Sequence, residues 1–181
     1  AEITGLDKDK RYILISGGSM GAGKLVLAIK LLYDRYKNDK KTGLVVICGS
    51  NKWLYKQLHG RYPGKITAVR FTDKMAAYMR MADVFVTKPG GLSTTEGAVL
   101  GVPMVHIMSI PGCETRNMRF FAQYGMSVPV KRIGMGLPNA TDRLLSRAEA
   151  EKVTENQRKY INSAAAADIC RLAEKLINNG L

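Results

Sequence analysis

Residues 11–29, RYILISGGSMGAGKLVLAI, decide the fold, because they lead from a strand through a glycine-rich loop into a helix. The first six residues are a short β-rich run that ends in glycines. Leu25, Ala28 and Ile29 then recur at helical spacing. The next apolar run, LVVIC at 44–48, is continuous, which is typical of a strand covered on both faces of a parallel sheet. This strand–helix–strand unit predicts an α/β fold with a parallel sheet.

Strand and helix signals keep alternating after this unit. Further strands are predicted at 66–70, 84–87, 103–108 and 127–130, and helices at 51–58, 75–82, 94–100 and about 117–124. This alternation predicts one domain, an open parallel sheet with helices on both faces. A stretch at about 146–179 is purely helical, with Ile161, Ala165, Ile169, Leu172 and Leu176 on one stripe. Ligands of such sheets bind beyond the carboxyl ends of the strands, so the loops there are the candidate site.

The composition is that of a globular chain with a strong excess of positive charge. The 181 residues are 46% hydrophobic and carry a net charge of +13, which favours anionic partners. A solvated basic surface is the plainer interpretation. We expect neither a membrane span nor a signal peptide, and we expect the three separated cysteines to be free thiols in a reducing compartment. His59 and His106 form no zinc pattern; we expect His59 on the surface and His106 in the core.

The loop after the first strand, GGSMGAGK at 17–24, admits more than one interpretation. It fits the P-loop spacing GxxxxGK, but Leu25 stands where that motif needs a magnesium-binding Ser or Thr. No later strand ends in a suitable aspartate, and the third glycine of a dinucleotide fingerprint is missing. A tight turn without a ligand is the plainest alternative. A metal-free diphosphate site, formed by backbone N–H groups where the helix begins, agrees best with the pattern.

The loop after the fourth strand, TKPGGLSTTEGAVLGVP at 87–103, also leads from a strand into a helix. Ser93 and Glu96 have the spacing of a capping box, in which Ser93 begins the helix and Glu96 reaches back to its backbone. Alternatively, Glu96 lies at the ligand edge of the sheet and accepts hydrogen bonds from the two hydroxyls of a ribose. The residues alone leave both interpretations open.

Four segments together resemble the C-terminal, donor-binding domain of glycosyltransferase family 28. They are ILISGGSMGAGK at 13–24, VVICGSN at 45–51, RFTDKMAAYMRMADVFVTKPGGLSTTEGAVLGVPMV at 70–105 and PGCETRN at 111–117. The TKPGG and GxP elements are most similar to the branch that glycosylates diacylglycerol. The resemblance implies a Rossmann-like sheet that forms the C-terminal half of a GT-B glycosyltransferase. It implies one nucleotide-sugar-binding domain over 1–181, with the N-terminal acceptor domain absent.

The resemblance also implies roles for individual residues. The diphosphate is assigned to two loops: Gly18, Ser19 and Met20 after the first strand, and Gly91, Ser93 and Thr94 after the fourth. The backbone of Phe71 would lie at the edge of the uracil, although packing in the core is the commoner fate of a phenylalanine. Glu96 would hold the ribose hydroxyls.

The segment at 111–117 resembles one that contacts the hydroxyls of the donor hexose. Glu114 and Asn117 match it, whereas Cys113 stands where close relatives carry a glutamine. A thiol is a weak hydrogen-bonding group and does not replace an amide. The cysteine in place of glutamine leaves open whether residue 113 contacts the sugar and which sugar is bound. The alternatives are an inert turn residue for Cys113 and a helix cap for Asn117.

The activity implied by the resemblance is that of an inverting hexosyltransferase. It would transfer a hexose from a UDP-sugar to a lipid hydroxyl, with no metal and no other cofactor. Helix N-termini would stabilise the departing diphosphate. Lys88 and Arg116 would assist them or simply lie on the surface. The catalytic base is expected in the N-terminal domain, so we expect the chain alone to bind the donor without turnover.

Partners and location follow from this activity. We expect a UDP-hexose, a lipid acceptor such as diacylglycerol, and an anionic membrane surface that attracts the basic residues. The expected location is cytoplasmic and peripheral, on the inner face of the membrane. Two alternatives stay open: a P-loop-like phosphate-binding NTPase and a basic nucleic-acid-binding module, although the chain has no recognisable RNA-binding motif.

Overall fold

A six-stranded sheet forms the centre of the computed structural model, which describes residues 1–17, 22–107 and 111–178. The strands are β1 (Arg11–Ser16), β2 (Thr42–Gly49), β3 (Ile66–Arg70), β4 (Val84–Thr87), β5 (Met104–Ile107) and β6 (Val128–Val130). They lie in the order β3-β2-β1-β4-β5-β6, and neighbouring strands pair in parallel. This order is that of a doubly wound, Rossmann-like sheet. The predicted fold class is confirmed.

Eight helices of the described residues connect and cover the strands. They are α1 (Ala22–Tyr36), α2 (Lys52–Leu58), α3 (Met75–Arg80), α4 (Gly91–Val99), α5 (Cys113–Gln123), α6 (Ile133–Leu144), α7 (Arg147–Tyr160) and α8 (Ala165–Asn178). Helices α1, α2 and α6 pack on one face of the sheet, and α3, α4 and α5 pack on the other. Helix α7 contacts both α4 and α6.

The central strand β1 is buried on both of its faces. Ile13 and Ile15 belong to the apolar cluster beneath α1, α2 and α6, whereas Tyr12 and Leu14 belong to the cluster beneath α3, α4 and α5. Successive side chains of a strand point to opposite faces of the sheet. The alternation therefore gives each helix layer its own core, which explains why the run at β1 is apolar throughout.

Helix α6 is absent from the sequence prediction because its residues are typical of turns. Its sequence, IGMGLPNATDRL, contains two glycines and Pro138. The chain has non-helical dihedral angles at Gly134 (φ −21°, ψ −117°), and Pro138 lies in the first turn after this kink. A proline is tolerated there because the first turn of a helix needs no intrahelical N–H donors. Leu137 and Leu144 then pack into the core beneath α1.

The C-terminal segment is helical, as predicted, but it is divided at residues 161–164 into α7 and α8. The buried Gln157 fixes α7, because its side-chain amide donates hydrogen bonds to the carbonyls of Val102 and Met126, both at 3.0 Å. Of the predicted apolar stripe, Ile161 packs against the core, whereas α8 has no buried residue. None of the helices in the described ranges is long and apolar enough to cross a membrane.

Candidate functional site

The candidate site lies at the edge of the sheet where the strands have their carboxyl ends. The strand order reverses between β1 and β4, and the helices that follow these two strands pack on opposite faces. Helices α1 and α4 therefore diverge from this point, and doubly wound sheets bind their ligands in the crevice at such a point. Those predicted site residues that the structure describes come after strands that end at this edge.

The structure describes the loop after β1 at its two ends. The predicted diphosphate residues Gly18, Ser19 and Met20 lie outside the described residues. Gly17 is buried, and a Cβ atom on it would lie 2.8 Å from Leu25 Cδ2. Leu25 is itself 4% exposed and packs in the core beneath α1. The residue that occupies the magnesium-binding position of a P-loop is therefore a core residue.

The N-terminus of α4 presents backbone donors to the crevice. The helix is capped by Gly90 without a side-chain hydrogen bond, and its first turn contains no acidic residue. The first N–H groups of a helix have no intrahelical acceptor, and those of Gly91 and Ser93 find none among the residues described. Thr94 differs, because its N–H donates to the Gly90 carbonyl at 3.3 Å and its hydroxyl is buried. Gly91 and Ser93 are therefore the more available of the three predicted residues.

Glu96 is not part of a capping box. Helix α4 begins at Gly91 rather than at the predicted residue 94, so Ser93 lies inside the first turn and Glu96 in the second. The Glu96 side chain is exposed. Within 1–17, 22–107 and 111–178, the hydrogen bonds and ion pairs include none to its carboxylate. The capping interpretation is wrong, and the carboxylate is available to a ligand.

Phe71 does not pack in the core. It is 81% exposed and lies one residue after β3, so the core-packing alternative is wrong. An open cleft of about 370 Å³ surrounds it at the carboxyl ends of β2 and β3. The cleft is lined by Phe71, Gly49, Ser50, Lys52 and Arg70. It offers backbone groups, an aromatic face and two cations to a flat ligand.

Helix α5 begins four residues earlier than Asn117, at Cys113. Its cap is Gly112, which has a φ of 102°, a conformation that strongly favours glycine. Cys113 is therefore the first residue of the helix, and its side chain is exposed. Asn117 lies in the second turn, so it does not cap the helix. The predicted alternative role for Asn117 is wrong.

Two side-chain interactions join α5 to the loop between β4 and α4. Lys88 Nζ lies 2.8 Å from Glu114 Oε1, and both side chains of this ion pair are largely buried. Asn117 Nδ2 donates a hydrogen bond to the Pro89 carbonyl at 3.0 Å. The predicted diphosphate and hexose segments therefore form one connected unit, and Lys88 is held by Glu114 rather than lying free on the surface. Arg116 is exposed, as a surface cation would be.

His106 belongs to the core, as predicted. It is fully buried, its Nδ1 atom lies 2.9 Å from Ser127 Oγ, and its ring packs edge-on against Phe121. Burial lowers the pKa of His106 to about 4, so the imidazole is neutral near pH 7. His59 is exposed, also as predicted. No group of three or more His, Cys, Asp or Glu in the part of the chain that is described could hold a metal ion.

Sequence reasoning missed the contribution of the loop after β2. Gly49 has a positive φ of 57°, and Ser50 and Lys52 line the cleft around Phe71. The signal was present in the CGSN segment at 48–51, which ends a strand at the ligand edge. It also missed the two links between α5 and the β4–α4 loop, because no local spacing relates residues 26 or 28 positions apart.

Comparison with known proteins identifies the family. The model of the glycosyltransferase family 28 C-terminal domain matches residues 12–171. A processive diacylglycerol beta-glucosyltransferase of Bacillus pumilus is 29% identical over an alignment of 182 positions, which covers 97% of this chain and 47% of that relative. The chain thus spans about half the length of this curated relative. It belongs to glycosyltransferase family 28, as a C-terminal domain of that family.

Solved structures of known proteins share the fold. The crystal structure of Acinetobacter baumannii MurG is 24% identical, with a TM-score of 0.72 over 92% of this chain and 50% of that one. The S. aureus MnaA–UDP co-structure is 17% identical, with a TM-score of 0.71 over 94% of this chain and 47% of that one. The predicted GT-B half is confirmed as the fold. The matches support neither the NTPase alternative nor the nucleic-acid-binding alternative.

Proposed function

We propose that this domain binds the UDP-sugar donor of an inverting lipid hexosyltransferase. The observation that carries the proposal is the order of features along the ligand edge of the sheet. An aromatic cleft lies at β2 and β3, a helix N-terminus without acidic residues follows β4, and a carboxylate with an amide follows β5. This is the order of base, diphosphate and sugar in a nucleotide sugar.

The uracil occupies the cleft around Phe71 in this proposal. Phe71 is exposed one residue beyond β3, where its backbone N–H and carbonyl have left the sheet ladder. A pyrimidine ring needs an edge-on donor and acceptor together with an apolar surface, and the end of a strand supplies both. Lys52 and Arg70 would face the phosphates and solvent around the base.

The diphosphate lies between β1 and β4, at the N-termini of α1 and α4. The N–H groups of Gly91 and Ser93 supply donors, and the helix dipole favours an anion because no acidic residue occupies the first turn. Gly18, Ser19 and Met20 would supply further backbone donors after β1. The same donors stabilise the negative charge that develops when the sugar departs.

The hexose lies against α5, and the ribose lies against Glu96. Glu114 in the first turn of α5 disfavours an anion at that helix N-terminus and suits the hydroxyls of a neutral sugar. Asn117 uses its Nδ2 atom on Pro89 and keeps its Oδ1 atom for a sugar hydroxyl. Cys113 stands at the exposed start of the same helix, within reach of the same ligand. The free Glu96 carboxylate can accept hydrogen bonds from both ribose hydroxyls.

The rest of the enzyme's activity lies outside this domain. The proposal places the catalytic base and the lipid acceptor site, for a lipid such as diacylglycerol, on another domain that faces this edge of the sheet. Donor binding requires no metal and no cofactor, and the domain alone binds the donor without transferring sugar. A lipid acceptor places the whole protein at a membrane surface, on its cytoplasmic side.

Calorimetric titration tests the proposal. The 181-residue chain should bind UDP in the presence of EDTA and should not bind ATP with magnesium. Hydrolysis of UDP-glucose by the chain alone should stay at the level of buffer. If the chain instead binds ATP with magnesium and ignores UDP, the donor-binding function is wrong.

A further inference from the structure

A second surface stands out because all the acidic and basic charges in one long stretch of the chain are positive. Residues 40–72 contain no Asp or Glu, and their cations are Lys40, Lys41, Lys52, Lys56, Arg61, Lys65 and Arg70. This stretch includes α2 and the turn that follows it. It also contains the single tryptophan of the chain, Trp53, which is 55% exposed on the first turn of α2.

A groove of about 340 Å³ separates α1 from α2 beside this tryptophan. Its floor is aliphatic, because it is formed by the buried residues Ile29, Leu54 and Leu58. The rings of Tyr33 and Tyr62 form part of its wall, with their centroids 4.5 Å apart. We call this feature the α1–α2 groove. It presents an apolar interior to any ligand that enters it.

Cations lie around the mouth of the α1–α2 groove. Arg61 lines it, with its guanidinium 5.7 Å from the centre of the Tyr62 ring. Lys56 is exposed three positions after Trp53, so the two side chains are neighbours on the outer face of α2. Lys30 and Asp34 also line the groove and form an ion pair at 2.7 Å, so this pair adds no net charge to the rim. The groove therefore combines an aliphatic floor, an exposed indole and a positively charged rim.

This combination fits the surface of an anionic bilayer better than the other candidate occupants. Tryptophan and tyrosine prefer the boundary between headgroups and acyl chains, and nearby lysines and arginines bind anionic headgroups. A single-stranded nucleic acid would use the exposed indole and the cations, because bases stack on aromatic faces, but it would leave the aliphatic floor of the groove unoccupied. A two-fold contact between copies of this chain would bring together two surfaces with the same excess of cations, which is repulsive.

We propose that the α1–α2 groove docks the domain on an anionic membrane. Trp53 inserts at the headgroup boundary, an acyl chain contacts the groove, and Lys56 and Arg61 bind headgroup phosphates. This proposal deepens the proposed function, because a lipid acceptor requires the protein to meet a membrane. It also assigns the contact to a surface next to the donor site, since Lys52 lines the Phe71 cleft and the adjacent Trp53 lines the groove.

Trp53 itself reports the contact. Vesicles of phosphatidylglycerol should shift the fluorescence emission of the chain to the blue, and vesicles of phosphatidylcholine should not. Phosphatidylglycerol with brominated acyl chains should quench the emission, because the indole would lie within reach of the acyl region. Binding measured by sedimentation without a shift in Trp53 emission would mean that another face binds the membrane, and it would overturn the proposal.

Two double variants distinguish binding through the α1–α2 groove from binding through the net charge of the whole chain. Lys56→Gln with Arg61→Gln should weaken vesicle binding roughly 25-fold, since each cation near an anionic surface contributes about fivefold. Lys74→Gln with Arg80→Gln removes the same charge from the N-cap and the last residue of α3, on the opposite face of the sheet, and should have little effect. Trp53→Gln should also weaken sedimentation with vesicles. An equal loss in both double variants would show that net charge alone acts, against the proposal.

The remaining outcomes also decide the question. Displacement of the chain from vesicles by an equal concentration of a single-stranded oligonucleotide, with the same Trp53 shift, would favour a nucleic acid site and overturn the proposal. Absence of vesicle binding would overturn it as well. Calorimetry with UDP on the same samples distinguishes the failure of membrane docking from the failure of donor binding. Loss of vesicle binding with UDP binding retained contradicts only the docking proposal, and loss of UDP binding with vesicle binding retained contradicts only the donor-binding function.

Discussion

Glu96 carries the most specific claim at the scale of single residues, because its carboxylate is exposed and makes no bond to the described part of the protein. A hydrogen bond to a charged group contributes about 1.5–3 kcal/mol. Glu96→Gln should therefore weaken UDP binding by about 10–100-fold in calorimetry. Glu155→Gln, at an exposed position of α7, is the matched control and should leave UDP binding unchanged.

The nucleotide dUDP makes the test of Glu96 sharper, because it lacks one of the two ribose hydroxyls. The wild-type chain should prefer UDP over dUDP, and Glu96→Gln should lose most of this preference. A variant that discriminates as well as the wild type would show that Glu96 does not contact the ribose.

Cys113 offers a direct chemical reporter of the proposed hexose position. It is exposed at the start of α5, whereas Cys48 is buried with a pKa raised by burial to about 11. A maleimide should label Cys113 in the native chain, and UDP-glucose should slow the reaction because the sugar would cover the thiol. Cys170, which is exposed on α8, is an internal control whose labelling should not change. Equal labelling of Cys113 with and without ligand would contradict the assignment.

His106 couples the stability of the fold to pH. Its pKa is about 4 in the folded chain and about 6.5 when unfolded, so between these values the unfolded state binds the extra proton. Stability is therefore complete above pH 6.5 and falls as the pH drops towards 4. Between pH 7 and 4.5 this group should remove about 2–3 kcal/mol from the free energy of unfolding.

Urea unfolding at pH 7 and at pH 4.5 measures the contribution of His106. His106→Gln should lose less stability on acidification than the wild type, whatever its stability at pH 7. His59→Gln, at an exposed position, should behave as the wild type does. The same acid sensitivity in His106→Gln and wild type would show that other groups cause it.

At the scale of elements, the sequence predicted the strands better than the boundaries of the helices. A buried parallel strand is continuously apolar, so its signal is local. Helices α4 and α5 begin at Gly91 and Cys113 because their caps are Gly90 and Gly112, and neither carries a recognisable capping side chain. Because helix α4 is capped by Gly90, the Glu96 carboxylate is not occupied by a capping box. The Ser93–Glu96 spacing alone does not predict that Gly90 is the N-cap of α4.

The link between α5 and the β4–α4 loop gives a prediction at the same scale. Asn117→Ala removes the hydrogen bond to the Pro89 carbonyl and should lower the free energy of unfolding by about 1–2 kcal/mol. UDP should also bind more weakly, since the loop that precedes Gly91 loses its support. Arg119→Ala, at an exposed position of the same helix, should change neither quantity. Unchanged urea unfolding of Asn117→Ala would contradict this role.

At the scale of the whole molecule, the strand order explains why residues from distant segments meet. Phe71, Gly91 and Cys113 follow three different strands, and the parallel sheet brings the ends of these strands to one edge. The alternating pattern predicted this edge, and the resemblance to family 28 supplied the candidate residues along it. It could not predict the ion pair of Lys88 with Glu114 or the groove between α1 and α2, because both depend on packing between elements rather than on spacing within one.

A crystal structure of the chain with UDP bound would test donor binding at this edge directly. We predict the uracil at the Phe71 backbone, the ribose hydroxyls on the Glu96 carboxylate, and the diphosphate at the N-terminus of α4 with no metal ion. UDP bound elsewhere, or a diphosphate held through magnesium, would contradict this prediction.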